Sequence, residues 1–265
     1  MMRVSAVLLA GIGVVAITAN WLAPYGVNEI DVAGALRPPS AHHWLGTDEL
    51  GRDIFSRILV ATQTSLQIAV AAVAFAFLVG VTAGIVAGYL GGWTDAVLMR
   101  VVDVMFAFPV LLLALAIVAV LAPGTTTTVL AIGIVYTPIF ARVARASTLS
   151  VRVEPFVAVS RTMGTGNVYL LGRHILPNIA GPVIVQTSLS LAFAILSEAA
   201  LSFLGLGIQP PEPSLGRMLF DAQGFTHMAW WMSVFPGAAI FVTVLAFNLF
   251  GDGIRDVLDP RQREH

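Results

Sequence analysis

The chain has 265 residues, 57% of them hydrophobic and only 11% charged, against about 25% charged in ordinary soluble domains. A charge deficit of that size across the whole length points to a polytopic membrane protein. All 14 Lys-plus-Arg residues are Arg, so a Walker A phosphate loop and a Schiff-base site, both of which need Lys, are excluded. The formal net charge of −1 gives no electrostatic case for nucleic acid, and the lack of Cys rules out disulfides, thiolate metal sites and Cys nucleophiles.

Taken in order, Met1-Met2-Arg3 precedes an apolar run from Val4 to Ala23. This run is long for a signal-peptide core, and further spans follow, so it reads as an uncleaved anchor rather than a cleaved leader. Further apolar runs occupy about 66–90, 101–122, 128–143, 179–206 and 231–250, with 144–149 able to lengthen the shortest. Each can cross a hydrocarbon core of about 30 Å, giving about six spans. Six spans put both termini on one side. If that side is cytoplasmic, Arg3, Arg100, Arg142, Arg145, Arg152, Arg161, Arg173, Arg255, Arg261 and Arg263 lie inside, and only Arg37, Arg52, Arg57 and Arg217 lie outside. The positive-inside rule then predicts both termini cytoplasmic.

Between the first two spans, the stretch from His42 to Arg57 is dense in charged groups. Thr47 or Asp48 is expected to cap a short amphipathic helix, with Leu50, Ile54 and Ile58 on one face and an Asp53–Arg57 pair. His42-His43 point in different directions without a third ligand and read as surface residues, so no metal is assigned. Gly80, Gly84 and Gly88 recur every fourth residue and form a helix-packing strip. Asp103 is expected to pair with Arg100, and Pro109 and Pro138 to kink the third and fourth spans.

The longest polar interruption late in the chain is Glu154–Asn178, EPFVAVSRTMGTGNVYLLGRHILPN, predicted cytoplasmic. Pro155 can open a helix, Gly164-Thr165-Gly166-Asn167 breaks it, and 168–175 reads as a second short helix closed by Pro177. By pattern alone this is a helical hairpin, either lying on the membrane surface or serving as a docking site.

Residue identities carry this further. The stretch resembles the EAA loop of bacterial ABC-type importer permeases, whose pattern is Glu-Ala-Ala, three residues, Gly, nine residues, then Ile-x-Leu-Pro. Gly164, Leu176 and Pro177 fall at that spacing. The tripeptide reads Ala158-Val159-Ser160, without the family's Glu, and His174 stands where the family often has Ile. LGTDELGRDIFSRI from Leu45, SEAALSFLGLG from Ser197 with Pro210-Pro211, and NLFGDGIRD from Asn248 through Asp259-Pro260-Arg261 resemble the dipeptide, oligopeptide and nickel importer subfamily. The likeness is to the second of its two permease subunits and covers nearly everything from Leu45 to Arg261.

The resemblance implies an all-α permease fold of the type I ABC importer class. It divides the chain into an anchor and external segment (1–63), a permease core with its loop (64–253) and a cytoplasmic tail (254–265). It implies a multi-pass protein of the bacterial cytoplasmic membrane that translocates short peptides by alternating access. The implied partners are a homologous permease, two ATPase subunits, an extracytoplasmic peptide-binding protein and membrane lipid. ATP and Mg would reside on the ATPases, no cofactor on this chain. Dipeptides, longer peptides, glutathione-like peptides and nickel chelates all stay open as cargo. The loop that would grip the ATPase comprises Ala158, Val159, Ser160, Arg161, Met163, Gly164, Thr165, Gly166, Asn167, Leu176 and Pro177. Val159 and Met163 would supply its apolar contact and Arg161 its polar one.

Glu198, within the fifth apolar run, must face protein or water and have a partner. It either lines the substrate route or makes a structural hydrogen bond to another span. The second is preferred because Gly207–Pro210 soon end the span. With no G-x-S-x-G, H-E-x-x-H or paired carboxylates in a credible cleft, the chain is not expected to be an enzyme. An ion-driven secondary transporter, the alternative of another class, would place acidic groups near the midplane, where only Glu198 and Asp103 are candidates.

Overall fold

The structure, a computed structural model, describes residues 2–258. It is helical throughout, with ten α-helices among the described residues: α1 (Met2–Leu22), α2 (Ile54–Leu90), α3 (Gly92–Phe106), α4 (Val110–Leu121), α5 (Thr125–Val151), α6 (Pro155–Thr162), α7 (Asn167–Leu170), α8 (Leu176–Phe203), α9 (Leu215–Ala222) and α10 (Trp231–Leu258). Five helical stretches are long and apolar enough to cross a membrane, and the bent pair α3–α4 brings the number to six.

The 37-residue α2 is the organising helix. It measures about 55 Å, nearly twice a hydrocarbon core, and so stands clear of the bilayer at one end or both. Its first turn is capped by Asp53, whose carboxylate accepts from the Ser56 N–H at 2.8 Å. Its far end stops at Gly91, which takes φ 67°. Here the sequence expectation fails. Residues 46–53 form no helix but a tight loop in which Gly46 and Gly51 have positive φ. A Cβ on Gly51 would land on the Asp31 carbonyl, so the loop backbone packs too closely for a helical course. Asp53 is thus the cap rather than a partner of Arg57. It accepts from His43 at 2.9 Å, while Arg57 turns to Asp48 at 3.6 Å and the Val27 carbonyl at 3.2 Å. His43 also stacks on Tyr25 and is no plain surface residue.

The glycine strip does what its spacing predicts, and within this chain. Gly80, Gly84 and Gly88 lie against α5, where an added Cβ would strike Thr137, Ala141 and Thr148 respectively. Gly133 reciprocates from α5, facing Phe75 and the Ala72 carbonyl of α2. This seam carries nearly half of the main core, including Ala72, Ala76, Ile132, Phe140 and Ala144. On the other flank α8 packs against α2, α5 and α10, with the Ser188 hydroxyl donating to the Phe247 carbonyl at 2.9 Å.

Two further expectations are corrected. The third apolar run is no kinked helix but a broken one, with α3 and α4 meeting at 91°. Pro109 lacks the N–H to continue α3 and has an extended ψ of 131° as the residue before α4. By contrast Pro138 stays inside α5. Asp103 pairs not with Arg100 on its own helix but with Arg142 of α5 at 2.7 Å, and that guanidinium also covers the Phe106 ring. A second pair, Arg145 to Asp95 (2.6 Å, Nη2 to Oδ2), fastens α5 to the start of α3.

The polar stretch before α10 holds α9, which the sequence reading passed over. Leu215, Met218, Leu219 and Ala222 have the i, i+3, i+4, i+7 pattern, and Ser214 caps the helix by accepting from the Arg217 N–H at 3.1 Å. Together with 24–57 it makes a cap with its own small core of Ile54, Leu215, Met218, Trp231 and Met232. The boundary read at residue 63 falls inside α2, and that at 253 inside α10. Asp259-Pro260-Arg261 and Arg263 lie outside the described residues.

Candidate functional site

α5 ends at Val151, and the chain turns at the far end of α2 from the cap. There Arg152 donates to the Gly88 carbonyl at 2.8 Å. Pro155 opens α6, and after it the chain closes by a specific hydrogen-bond pattern. Thr165 N–H reaches back to the Ser160 carbonyl at 3.2 Å and Gly164 N–H to the Arg161 carbonyl at 3.0 Å, with Gly164 at φ 76°. This is a Schellman closure, which needs a residue that tolerates the left-handed conformation. A Cβ on Gly164 would meet nothing within 4 Å, so glycine is required by backbone conformation and not by crowding inside the chain.

Gly166 then precedes α7 in extended conformation. The predicted stop at Pro177 is not found. Residues Leu171–Ile175 form a π-turn that leads straight into α8, with Pro177 in the first turn of α8. Proline is tolerated there because the wider turn already breaks the i→i−4 ladder. The Asn178 side chain also donates to the His174 carbonyl at 2.6 Å.

The hairpin is braced at three points. Val157, Leu170 and Ile175 are buried in the main core. Asn167 accepts from the Tyr89 hydroxyl at 2.7 Å, and the Arg161 guanidinium lies 4.9 Å from the Tyr89 ring centre. His174 sits between the arms, 3.4 Å from the Ser160 hydroxyl and beside the rings of Phe156 and Tyr169. Tyr89 is the residue the sequence reading missed, its only signal being an aromatic with a polar tip at the end of an apolar run. On the outer side Val159 is 57% exposed, Met163 80% and Val168 86%; Ala158, Leu176 and Pro177 are exposed too. These side chains make an exposed apolar patch on the braced hairpin.

Glu198 is wholly buried in the α2–α8 seam. Its carboxylate accepts from Ser65 of α2 and Ser202 of α8, both at 2.7 Å. Ser202 in turn accepts from the Ile208 N–H at 3.1 Å, which folds the chain back at the end of α8. The group therefore has the geometry of a structural hydrogen bond, and none of its surface faces an opening.

The cap concentrates charge. Asp48 holds Arg52 at 2.6 Å, and Arg52 also reaches Glu49 at 2.9 Å; Arg217 pairs with Asp221 at 2.9 Å. Burial, and after it the neighbouring Asp48 charge, raises the Glu49 carboxyl above its ordinary 4.5. A carboxyl whose folded value lies above its unfolded one costs stability when ionised, and that cost fades as pH falls to the unfolded value. Glu49→Gln is therefore expected to raise the thermal midpoint at about pH 8 and leave it unchanged at about pH 4. A lowered midpoint at the higher pH would show that the Arg52 contact outweighs burial.

A core of membrane-spanning helices, broken once, with a braced helical hairpin between its fourth and fifth spans, is the architecture of a transporter permease. The family model for the binding-protein-dependent transport system inner membrane component matches residues 80–264, and the chain belongs to that family. It is a multi-pass inner-membrane permease and a transport component rather than an enzyme. Among its relatives is the dipeptide transport system permease protein of Alkalihalophilus pseudofirmus, 44% identical over 260 residues, 98% of this chain and 86% of that one. The probable D,D-dipeptide transport system permease protein of Escherichia coli K12 is 44% identical, covering 97% and 86%. The glutathione transport system permease protein of Pectobacterium atrosepticum is 45% identical, covering 93% and 82%. Among solved structures, an inward-facing MetNI methionine ABC transporter chain superposes with TM-score 0.65 at 14% identity, over 78% of this chain and 98% of that one. An amino acid ABC transporter chain gives 0.58 at 18% identity, over 77% and 95%. The fold is that of the ABC importer permeases.

Proposed function

We propose that this chain is one of two membrane subunits of an ATP-driven importer that carries short peptides inward. The reading rests chiefly on the hairpin 154–178, a rigid apolar projection tied by Tyr89 to the end of α2. Relatives named for dipeptide and glutathione transport supply the substrate class, and both cargoes are short peptides with free charged ends.

In this reading both termini and the hairpin face the cytoplasm, the side favoured by ten of the fourteen Arg residues. The cap faces outward. Two ATPase subunits hold ATP and Mg beneath the hairpins, a homologous permease completes the pathway, and a binding protein delivers peptide to the cap. ATP-driven closure of the ATPases moves Val159, Met163 and Arg161 as a unit. Their brace on Tyr89 passes the displacement to α2, and through the tightly packed glycine seam to α5. The helices then open outward, accept peptide, and return on hydrolysis.

Co-expression with neighbouring genes and purification tests the proposal. A four-chain complex whose ATP hydrolysis rises with binding protein and peptide is the expected result. A chain that purifies alone and moves solute down an ion gradient would replace this reading with a secondary transporter.

A further inference from the structure

Between α2, α5 and the segment before α9 lies an open cleft of 530 Å³, lined by Thr64, Gln67, Thr125, Val129, Glu212 and Pro213 among others. Its volume falls within the roughly 300–1,000 Å³ of small-ligand pockets. It opens at the cap end, because Thr64 lies near the start of α2 and Glu212 leads into α9.

The chemistry of the lining is uneven in an informative way. Glu212 is its one charged group, and it has no hydrogen-bond or ion-pair partner among the described residues. Four acidic side chains of the nearby cap do have basic partners: Asp48 and Glu49 share Arg52, Asp53 holds His43, and Asp221 holds Arg217. Glu212 has no such partner beside its cavity, a situation it shares with Asp31 in the separate cleft lined by Tyr25 and His43. Its placement is also stiff, since Pro210, Pro211 and Pro213 fix φ on both sides of it. Opposite stand neutral hydrogen-bonding groups. Gln67 offers an amide with two donors and an acceptor, and Thr125 offers a hydroxyl. The Thr64 hydroxyl donates to the Val60 carbonyl at 3.1 Å, which leaves its lone pairs to accept. Val129 and Ile68 supply an apolar wall for a side chain.

We propose that this cleft is the entry subsite for the peptide, with Glu212 receiving its amino-terminal ammonium and Gln67 and Thr125 its amide and carboxylate oxygens. The ligand class is a zwitterionic peptide of a few residues with a free amino terminus. The inference rests on the importer reading and adds to it a binding residue and an end-group preference. A rigid acid at the mouth reads the feature common to all such peptides, while the neutral wall leaves side chains unselected.

The test uses the complete complex in lipid nanodiscs with its binding protein, and alanyl-alanine as probe. The chain contains no Cys, so Ala71→Cys, on the cleft wall but outside the assigned contacts, places one thiol in this subunit, scored on this chain by mass. Alanyl-alanine with binding protein and ATP is expected to slow its modification by a small methanethiosulfonate, and Glu212→Gln in the same background to abolish that protection. Uptake at saturating loaded binding protein should fall about tenfold in Glu212→Gln, the loss of one charge-assisted contact, and recover in Glu212→Asp. Protection that persists in Glu212→Gln overturns the proposal. Protection by binding protein without peptide also overturns it, in favour of a protein-docking surface. A wild-type complex with no peptide-stimulated ATP hydrolysis brings down the importer reading itself, whereas normal stimulation with unaltered Glu212→Gln uptake brings down the cleft alone.

Discussion

Gly84→Leu is expected to prevent the protein from folding into a stable membrane monomer. At that position α2 approaches α5 so closely that even a Cβ would collide with the Ala141 carbonyl and the Ala144 methyl. Overpacking a side chain typically costs about 1–3 kcal/mol, and more where the obstacle is backbone, as here. Against a net stability of about 5–15 kcal/mol, a leucine wedged into the main seam is a large perturbation. The strip should show a gradient. Gly80→Ala meets the Thr137 carbonyl at 2.5 Å, whereas Gly88→Ala meets the Thr148 Cβ at 2.9 Å and the Arg145 carbonyl at 3.0 Å, a milder overlap. Gly237→Ala, with open space around it in α10, is the neutral control. Thermal unfolding in detergent, followed by size-exclusion fluorescence, would rank the four. A Gly84→Leu protein as stable as wild type would mean that α2 and α5 do not meet along this line.

The second large effect falls on transport instead of stability. Gly164→Asp and Arg161→Glu should each leave the spans folded while reducing transport by an order of magnitude or more. Forcing a non-glycine residue into the left-handed region costs about 1–2 kcal/mol, which unwinds the hairpin's closure without touching the core. Arg161→Glu removes the cation over Tyr89 and reverses charge beside the exposed Met163. Uptake, ATP hydrolysis and co-purified ATPase are the three readouts. If both variants transport normally with intact complexes, the hairpin is not the coupling element. Tyr89→Phe provides a milder version, since it deletes only the hydroxyl bonded to Asn167, a contact worth about 1 kcal/mol.

Much of this architecture could be read from the chain because apolar length and glycine spacing are local signals. The run ending at Leu90 announces a span by composition, and Gly80, Gly84 and Gly88 announce a seam by period. Local signals fail where a residue's partner is distant in sequence. Asp103 has Arg100 one turn away, yet pairs with Arg142, because the 91° break at Pro109 lays α3 beside α5. Asp53 and Arg57 stand at helix-pair spacing, but the fold of 24–52 brings His43 to one and Asp48 to the other. The hairpin's outline was legible from Pro155, Gly164 and Pro177. Its attachment was not, since nothing near Tyr89 in sequence points to Asn167, 78 positions on. Pro177 misled for a related reason: a proline ends a regular helix, but a π-turn ahead of it removes the bond it would break.

The course of α2 has a mechanical consequence. α5, α8 and α10 each carry an internal proline, while α2 has none over its 37 residues. A proline-free helix of that length bends little and behaves as a lever. Pivoted near its middle, a rod of about 55 Å that tilts by about 5° displaces each tip by about 2.5 Å, in opposite directions. Tyr89 stands one residue from one tip and Asp53 borders the other. A push delivered to the hairpin would therefore arrive at the cap at once and with its sense inverted, with no chain of intermediate rearrangements in between.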